Sequence, residues 1–191
     1  IRLGPGVHID DDVRIDVEEL VVGAHSKIEA RCLMSAMGGQ RCRLVKIGEH
    51  SLFSHDCKSL LPVFVVGDHT AIHNHTICNG RKPMVIGHNS WFGQNCMLNA
   101  EESLTIGNHV GVGAYSSVYT HGYFGDLLEG CQVFKVGSVN IEDDVWILGS
   151  YNIISPGVTL GEKSLILTGS LVTRDVPANH SVGGSPARDM T

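Results

Sequence analysis

Large rings are scarce in this chain. Phe, Trp and Tyr make up 6% of the residues, whereas hydrophobic residues make up 42%, so the core must be built from small and β-branched side chains. Long apolar runs are absent: no stretch of about 18 apolar residues occurs, which excludes a membrane-spanning helix. Basic clusters are absent too. The chain has 14 Lys and Arg against 20 Asp and Glu, a net charge of −6. A nucleic-acid groove needs Lys and Arg concentrated on one face, so nucleic acid is excluded as a partner. A small anion held by a few local cations stays compatible. No secretory leader is evident. Pro, at 6, is ordinary.

What the chain has in excess is Gly, at 23, and a rhythm. An aliphatic residue at position i is followed at i+4 by a small or β-branched one, over and over: Leu3/Val7, Val22/Ser26, Ile28/Cys32, Ile47/Ser51, Phe53/Cys57, Ile72/Thr76, Phe92/Cys96, Val112/Ser116, Ile147/Tyr151, Ile166/Ser170. The units are six residues long and group in threes, with coils starting at Leu3, Val22, Ile47, Val66, Ile86, Ile106, Ile141 and Leu160. One triangular coil cannot bury its own inward side chains, but stacked coils bury a continuous column. The expectation is an all-β parallel β-helix, a prism of about eight coils in a single domain over residues 1–191. Two insertions interrupt it, at 34–46 and 122–138, and a short tail runs over 177–191.

Six cysteines raise the question of disulfides. Cys32, Cys57 and Cys96 fall at i+4, where they read as small inward residues. Cys42, Cys78 and Cys131 fall elsewhere and receive no role. This usage suits a reduced, cytoplasmic location. The position i+3 of each coil's first hexad holds His25, His50, His69, Asn89, His109 or Asp144. Such polar residues tolerate the left-handed backbone of a tight corner, so this column reads as an outward ladder of turn residues.

The stretch "DDVWILGSYNIISPGVTLGEKSLILTGSLVTRDVPANHSVGGSPAR" resembles the closing coils of the hexapeptide-repeat acyltransferases, which include the maltose, galactoside, xenobiotic and polysaccharide O-acetyltransferases. The resemblance implies a left-handed coil, acetyl-CoA as acyl donor with no metal requirement, and a homotrimer with active sites between subunits. The implied function is O-acetylation of a sugar or polysaccharide hydroxyl. One departure stands out. Ile147 to Ile154 is seven residues rather than six, which predicts a bulge at Gly149 and Ser150.

Acyl transfer to a hydroxyl needs a base, and imidazole titrates in the right range. His121, at the start of the "HGYFGDLLEG" break, stands where the resembling family keeps its catalytic histidine. Tyr123 replaces a second histidine found in many polysaccharide O-acetyltransferases. The resemblance implies acceptor binding by Asn99, and a corner-turn asparagine is the plainer reading. Tyr123 and Asp126 are further acceptor candidates. Asp126 and Glu129 could orient His121 or bind a hydroxyl, and a solvated loop carboxylate is the plainer reading of both. His73 and His75 form a second candidate base pair.

For the acyl donor, Gly149, Ser150, Thr168 and Gly169 match a groove for the pantetheine arm, with Trp146 flanking it. Thr173, Arg174 and Arg188 match phosphate contacts, and simple surface charge is the alternative for the arginines. No Cys or Ser is placed as a covalent nucleophile, so direct transfer is expected. Three other functions stay open. An N-acetyltransferase on an amino sugar would use the same residues. A metal hydratase of the γ-carbonic anhydrase type would start from His50 and His55. A non-catalytic scaffold would use none of them.

Overall fold

The computed structural model describes residues 1–124 and 133–191. The chain winds as an all-β solenoid of about eight turns. Its three faces are sheets of eight, ten and eight strands, parallel throughout except that Arg188–Asp189 runs antiparallel to Ser181–Gly183. The first face runs from Arg2–Leu3 through Leu44–Ile47 to Thr159–Leu160, and the second from His8–Ile9 through Trp91–Phe92 to Arg188–Asp189. The third carries Arg14–Ile15, Lys58–Leu60, Ile77–Gly80, Met97–Ala100, Ser117–Val118, Ile153–Ile154 and Leu171–Val172 among its strands.

Each face sends at least one residue per coil inward. Val22, Ile47, Val66, Ile86, Ile106, Ile141 and Leu160 form the first buried column. Ile28, Phe53, Ile72, Phe92, Val112, Ile147 and Ile166 form the second. The third is less uniform: Met34, Ser59, Cys78, Leu98, Val118, Ile154 and Val172. Cys78 thus belongs to the core.

The small residues at i+4 do more than leave room. Ser26 Oγ donates to Gly48 O (2.6 Å) and accepts from Ser51 N (2.9 Å). Ser51 repeats this with Gly67 O and Thr70 N, and Thr70 with Gly87 O and Ser90 N. A hydroxyl ladder therefore satisfies corner amides and carbonyls that the turns would otherwise bury unpaired. The i+3 column behaves as a turn ladder: His25, His50, His69, Asn89, His109, Asp144 and Lys163 all have φ between 52° and 60°. The rings of His25, His50 and His69 stack at 5.0 Å spacings.

One further column has no counterpart in the hexad pattern. Leu20, Val45, Phe64, Met84, Leu104 and Val139 are buried two residues ahead of the first column. Apart from the two coils that carry the insertions, each coil is one or two residues longer than three hexads, and this column packs beneath the corner between third and first faces where the extra residues lie. Phe64 meets Phe53 edge to face at 6.0 Å. The strands Leu33–Ser35 and Leu44–Ile47 bracket 36–43, the first departure from the prism. The second leaves as an antiparallel ribbon, His121–Phe124 against Val133–Val136, and rejoins the first face at Val139. Among the described residues no helix is long and apolar enough to cross a membrane.

Candidate active site

Strands Ile77–Gly80 and Met97–Ala100 extend past their inward residues Cys78 and Leu98, towards the corner between third and first faces. This extension places Asn79 and Asn99 as direct neighbours across the ladder. Thr120 and His121 leave the same face one coil further on, after Ser117–Val118. The four side chains form one hydrogen-bonded chain. Asn99 Nδ2 donates to Asn79 Oδ1 (3.2 Å). Asn99 Oδ1 lies 2.7 Å from His121 Nδ1, 3.0 Å from Thr120 Oγ1 and 3.4 Å from the amide of Glu101.

These contacts fix the ring's tautomer. The Glu101 amide can only donate, so the atom facing it is the Asn99 oxygen. His121 Nδ1 faces that same oxygen and must therefore carry the proton. In the neutral ring Nε2 then holds the basic lone pair. Thr120 is fully buried and accepts from the Glu102 amide (3.1 Å). Asn99 is 5% exposed, so its amide is shielded from competing water.

Tyr123 pairs with Phe134 on the ribbon, and only its backbone is described. Asp126, Glu129 and Cys131 lie outside the described residues.

The proposed pantetheine groove lies at the opposite edge of the third face. Residues 149–152 lead into Ile153–Ile154, which pairs with Ser117–Val118, whereas Thr120 and His121 lead out of that pair. Within one chain the two groups are therefore separated by the width of a face. The expected bulge is present, and it corrects one pairing. Tyr151 does not take the inward slot after Ile147. It is 67% exposed, has φ +63°, and stacks on Tyr115 at 5.4 Å. Asn152 takes the slot instead, fully buried. It donates to Leu148 O (2.8 Å) and accepts from the Ser170 amide (3.0 Å). An inward slot at this corner must satisfy backbone groups, which a tyrosine ring does not do.

The bulge packs tightly between its neighbours. A Cβ on Gly113 would lie 1.6 Å from Gly149 O, and one on Gly149 would lie 2.0 Å from Thr168 Oγ1. Gly169 N donates to Ser150 O (3.0 Å), so Ser150 and Gly169 are adjacent rungs. Trp146 lies on the outer side of the second face, half exposed, over Gly111.

Thr173, Arg174 and Arg188 line one cavity of about 180 Å³ near the C-terminal end, together with Asp175 and Asp189. The Asp189 carboxyl is pulled down to about 2, first by the Thr191 amide and hydroxyl and then by His180. The cavity thus holds charges of both signs.

The other histidines fall elsewhere. His50 and His55 sit at opposite ends of strand Leu52–Phe53. His50 is stacked between His25 and His69, and His55 Nδ1 meets Glu29 Oε2 at 2.5 Å. They do not converge, and no cluster among the described residues suits a metal ion. His73 tilts against Trp91 at 5.4 Å, and His75 lies 3.9 Å from Asp56. Asn79 and Thr120 were not singled out from the sequence. The available signal was the recurrence of Asn after the inward residue in consecutive coils, at Cys78-Asn79 and Leu98-Asn99.

No family model matches the chain. A candidate acetyltransferase of Schizosaccharomyces pombe is 32% identical over 175 residues, covering 85% of this chain and 81% of that protein. The galactoside O-acetyltransferase of Escherichia coli is 34% identical over 105 residues, 54% of this chain and 51% of the enzyme. The chain thus spans about half the length of that relative. The solved structure of a galactoside acetyltransferase in complex with coenzyme A superposes with a TM-score of 0.61. It is 28% identical, and the match covers 67% of this chain and 64% of that one. The solenoid matches a left-handed parallel β-helix.

Proposed function

This chain belongs to the hexapeptide-repeat acetyltransferase family, and from that premise we propose that it O-acetylates a sugar or polysaccharide hydroxyl, with His121 as general base. The observation that carries the reading is the 2.7 Å contact between His121 Nδ1 and Asn99 Oδ1. It leaves Nε2 as the ring's basic atom. A base oriented through its second nitrogen is the arrangement that nucleophile activation calls for.

The donor in this reading is acetyl-CoA, which supplies the acetyl group as a thioester. Support comes from the coenzyme A complex of the related galactoside acetyltransferase. Thr173, Arg174 and Arg188 around one cavity fit its phosphates. The rung at Ser150 and Gly169 fits its extended arm.

His121 Nε2 takes the proton of the acceptor hydroxyl as the oxygen bonds to the acyl carbon. Asn99 Oδ1 keeps hold of Nδ1–H and stabilises the imidazolium that results. When the carbon–sulfur bond breaks, His121 returns its proton to the departing sulfur. Charge and protons balance without a covalent enzyme intermediate. An amine acceptor would use the same base.

His121 and the 149–152 bulge stand at opposite edges of one face, so the base of one copy and the groove of another would complete a site together. This supports a homotrimer with sites between subunits. The test is thiol release from acetyl-CoA against a panel of sugars, amino sugars and oligosaccharides. Loss of about a hundredfold or more in His121→Ala is expected. Full activity in that variant overturns the base, and a monomer by light scattering overturns the shared site.

A further inference from the structure

We infer that Asn79 is a positioning residue that sets the proton on His121, an inference that rests on His121 being the base. Asn79 lies one coil away from Asn99 and two from His121. Its Oδ1 accepts from Asn99 Nδ2 at 3.2 Å. At the other end of the same amide, Asn99 Oδ1 meets the Glu101 N–H at 3.4 Å and His121 Nδ1 at 2.7 Å. The Asn99 amide is therefore held from both ends.

Turning that amide over would produce two clashes. Nδ2 would face the Glu101 N–H, and Oδ1 would face Asn79 Oδ1, donor on donor and acceptor on acceptor. It would also present a donor to His121 Nδ1, driving the ring proton to Nε2 and removing the basic lone pair from the reacting side. The Glu101 N–H can only donate and sets the sense of the amide, and Asn79 Oδ1 reinforces that sense from the other end. The two asparagines do not form part of a general ladder. Asn79 pairs on its other side with Leu60, so the run of amides begins at Asn79 and is directed at the histidine.

A merely structural asparagine would support the coil without setting a tautomer, and the two roles separate in a direct measurement. Protein carrying [15N]histidine is prepared as wild type, Asn79→Leu and Asn79→Asp. The His121 signals are assigned by their loss in His121→Gln. Above the ring's titration, the wild type is expected to show an unprotonated Nε2 and a protonated Nδ1. Asn79→Leu, which places at 79 the residue type already at position 60, is expected to mix the tautomers. Its kcat should fall about tenfold, the weight of one hydrogen bond, with KM for acetyl-CoA and the melting temperature held. Asn79→Asp keeps an oxygen for Asn99 Nδ2 and is expected to retain the tautomer and most of kcat. An unchanged tautomer in Asn79→Leu overturns the inference, and so does an equal shift in Asn79→Asp. If His121→Ala keeps its turnover, the base assignment falls instead, and the nitrogen shifts still report whether Asn79 governs the ring.

Discussion

Asn99 Oδ1 and His121 Nδ1 lie 2.7 Å apart, although 22 residues separate them in sequence. The contact exists because one coil of the solenoid returns the chain to the same corner. Its removal should be visible in the pH dependence. Asn99→Ala is expected to lower kcat by about ten- to a hundredfold, since the ring loses its orienting acceptor. Asn99→Asp keeps an acceptor and adds a negative charge beside the imidazolium, which favours the protonated ring. The acid limb of kcat/KM should therefore move to higher pH. An unmoved limb in Asn99→Asp would show that this residue does not face the base.

The bulge at 149–152 carries a stability prediction. Gly113 is crossed by the Gly149 carbonyl so closely that an added Cβ would meet it at 1.6 Å, whereas a Cβ on Gly169 would meet nothing within 4 Å. Gly113→Ala must displace backbone and should cost at least the roughly 1–3 kcal/mol typical of overpacking. Gly169→Ala suffers only its positive φ of +72°, a cost of about 1–2 kcal/mol. Thermal unfolding by circular dichroism should therefore rank Gly113→Ala below Gly169→Ala. The reverse order would contradict the packing of the bulge.

The prism was legible because its physics is periodic. Val22, Ile28, Ile47 and Phe53 announce the buried columns at six-residue spacing, and Ser26, Ser51 and Thr70 announce a corner. The extra column of Leu20, Val45 and Phe64 was not legible, because it serves residues that exceed the hexads and so follows the corner rather than the repeat. Cys78 and Ser59 were missed for a simpler reason: both are inward residues without the expected aliphatic side chain. At the candidate site, His121 stood out by its place at a break in the rhythm. Asn79 and Thr120 did not, because their roles come from contacts made across coils some 20 residues apart, which no local pattern encodes. Tyr151 is the residue that counting assigns to the inward slot, but the slot demands a buried hydrogen-bonding side chain, and Asn152 supplies it.

The inward cysteines should be chemically silent. Burial pushes the Cys32 thiol up to about 11 and the Cys57 thiol up to about 12, and it raises Cys78 and Cys96 as well. The thiolate is the reactive form, so at pH 8 these four should resist iodoacetamide in the folded protein and react in denaturant. Mass spectrometry of the labelled peptides gives the answer. The linkage also has a sign. Each folded thiol has a raised pKa, so the stability it contributes is present below the unfolded value near 9 and is lost as pH rises towards 11–12. Alkaline unfolding should begin in that window. Rapid labelling of Cys57 at pH 8 would mean that the coil around it opens far more readily than its burial implies.

Arg174 and Arg188 share their cavity with Asp175 and Asp189, and this pairing sets the size of the last effect. Asp189, held at about 2, stays ionised throughout the neutral range and offsets part of the local positive charge. Each arginine should therefore contribute modestly to phosphate binding rather than dominate it. Arg188→Ala is expected to raise KM for acetyl-CoA about five- to tenfold, in line with the loss of one charge-assisted contact, while kcat holds. Acetyl-pantetheine lacks the nucleotide phosphates, so its KM should be unchanged in the same variant. The acetyl-CoA effect should also shrink as ionic strength rises, because the arginine is exposed and its field is screened. Equal changes for the two donors would remove Arg188 from the phosphate site, and a loss confined to kcat would assign it to the chemistry instead.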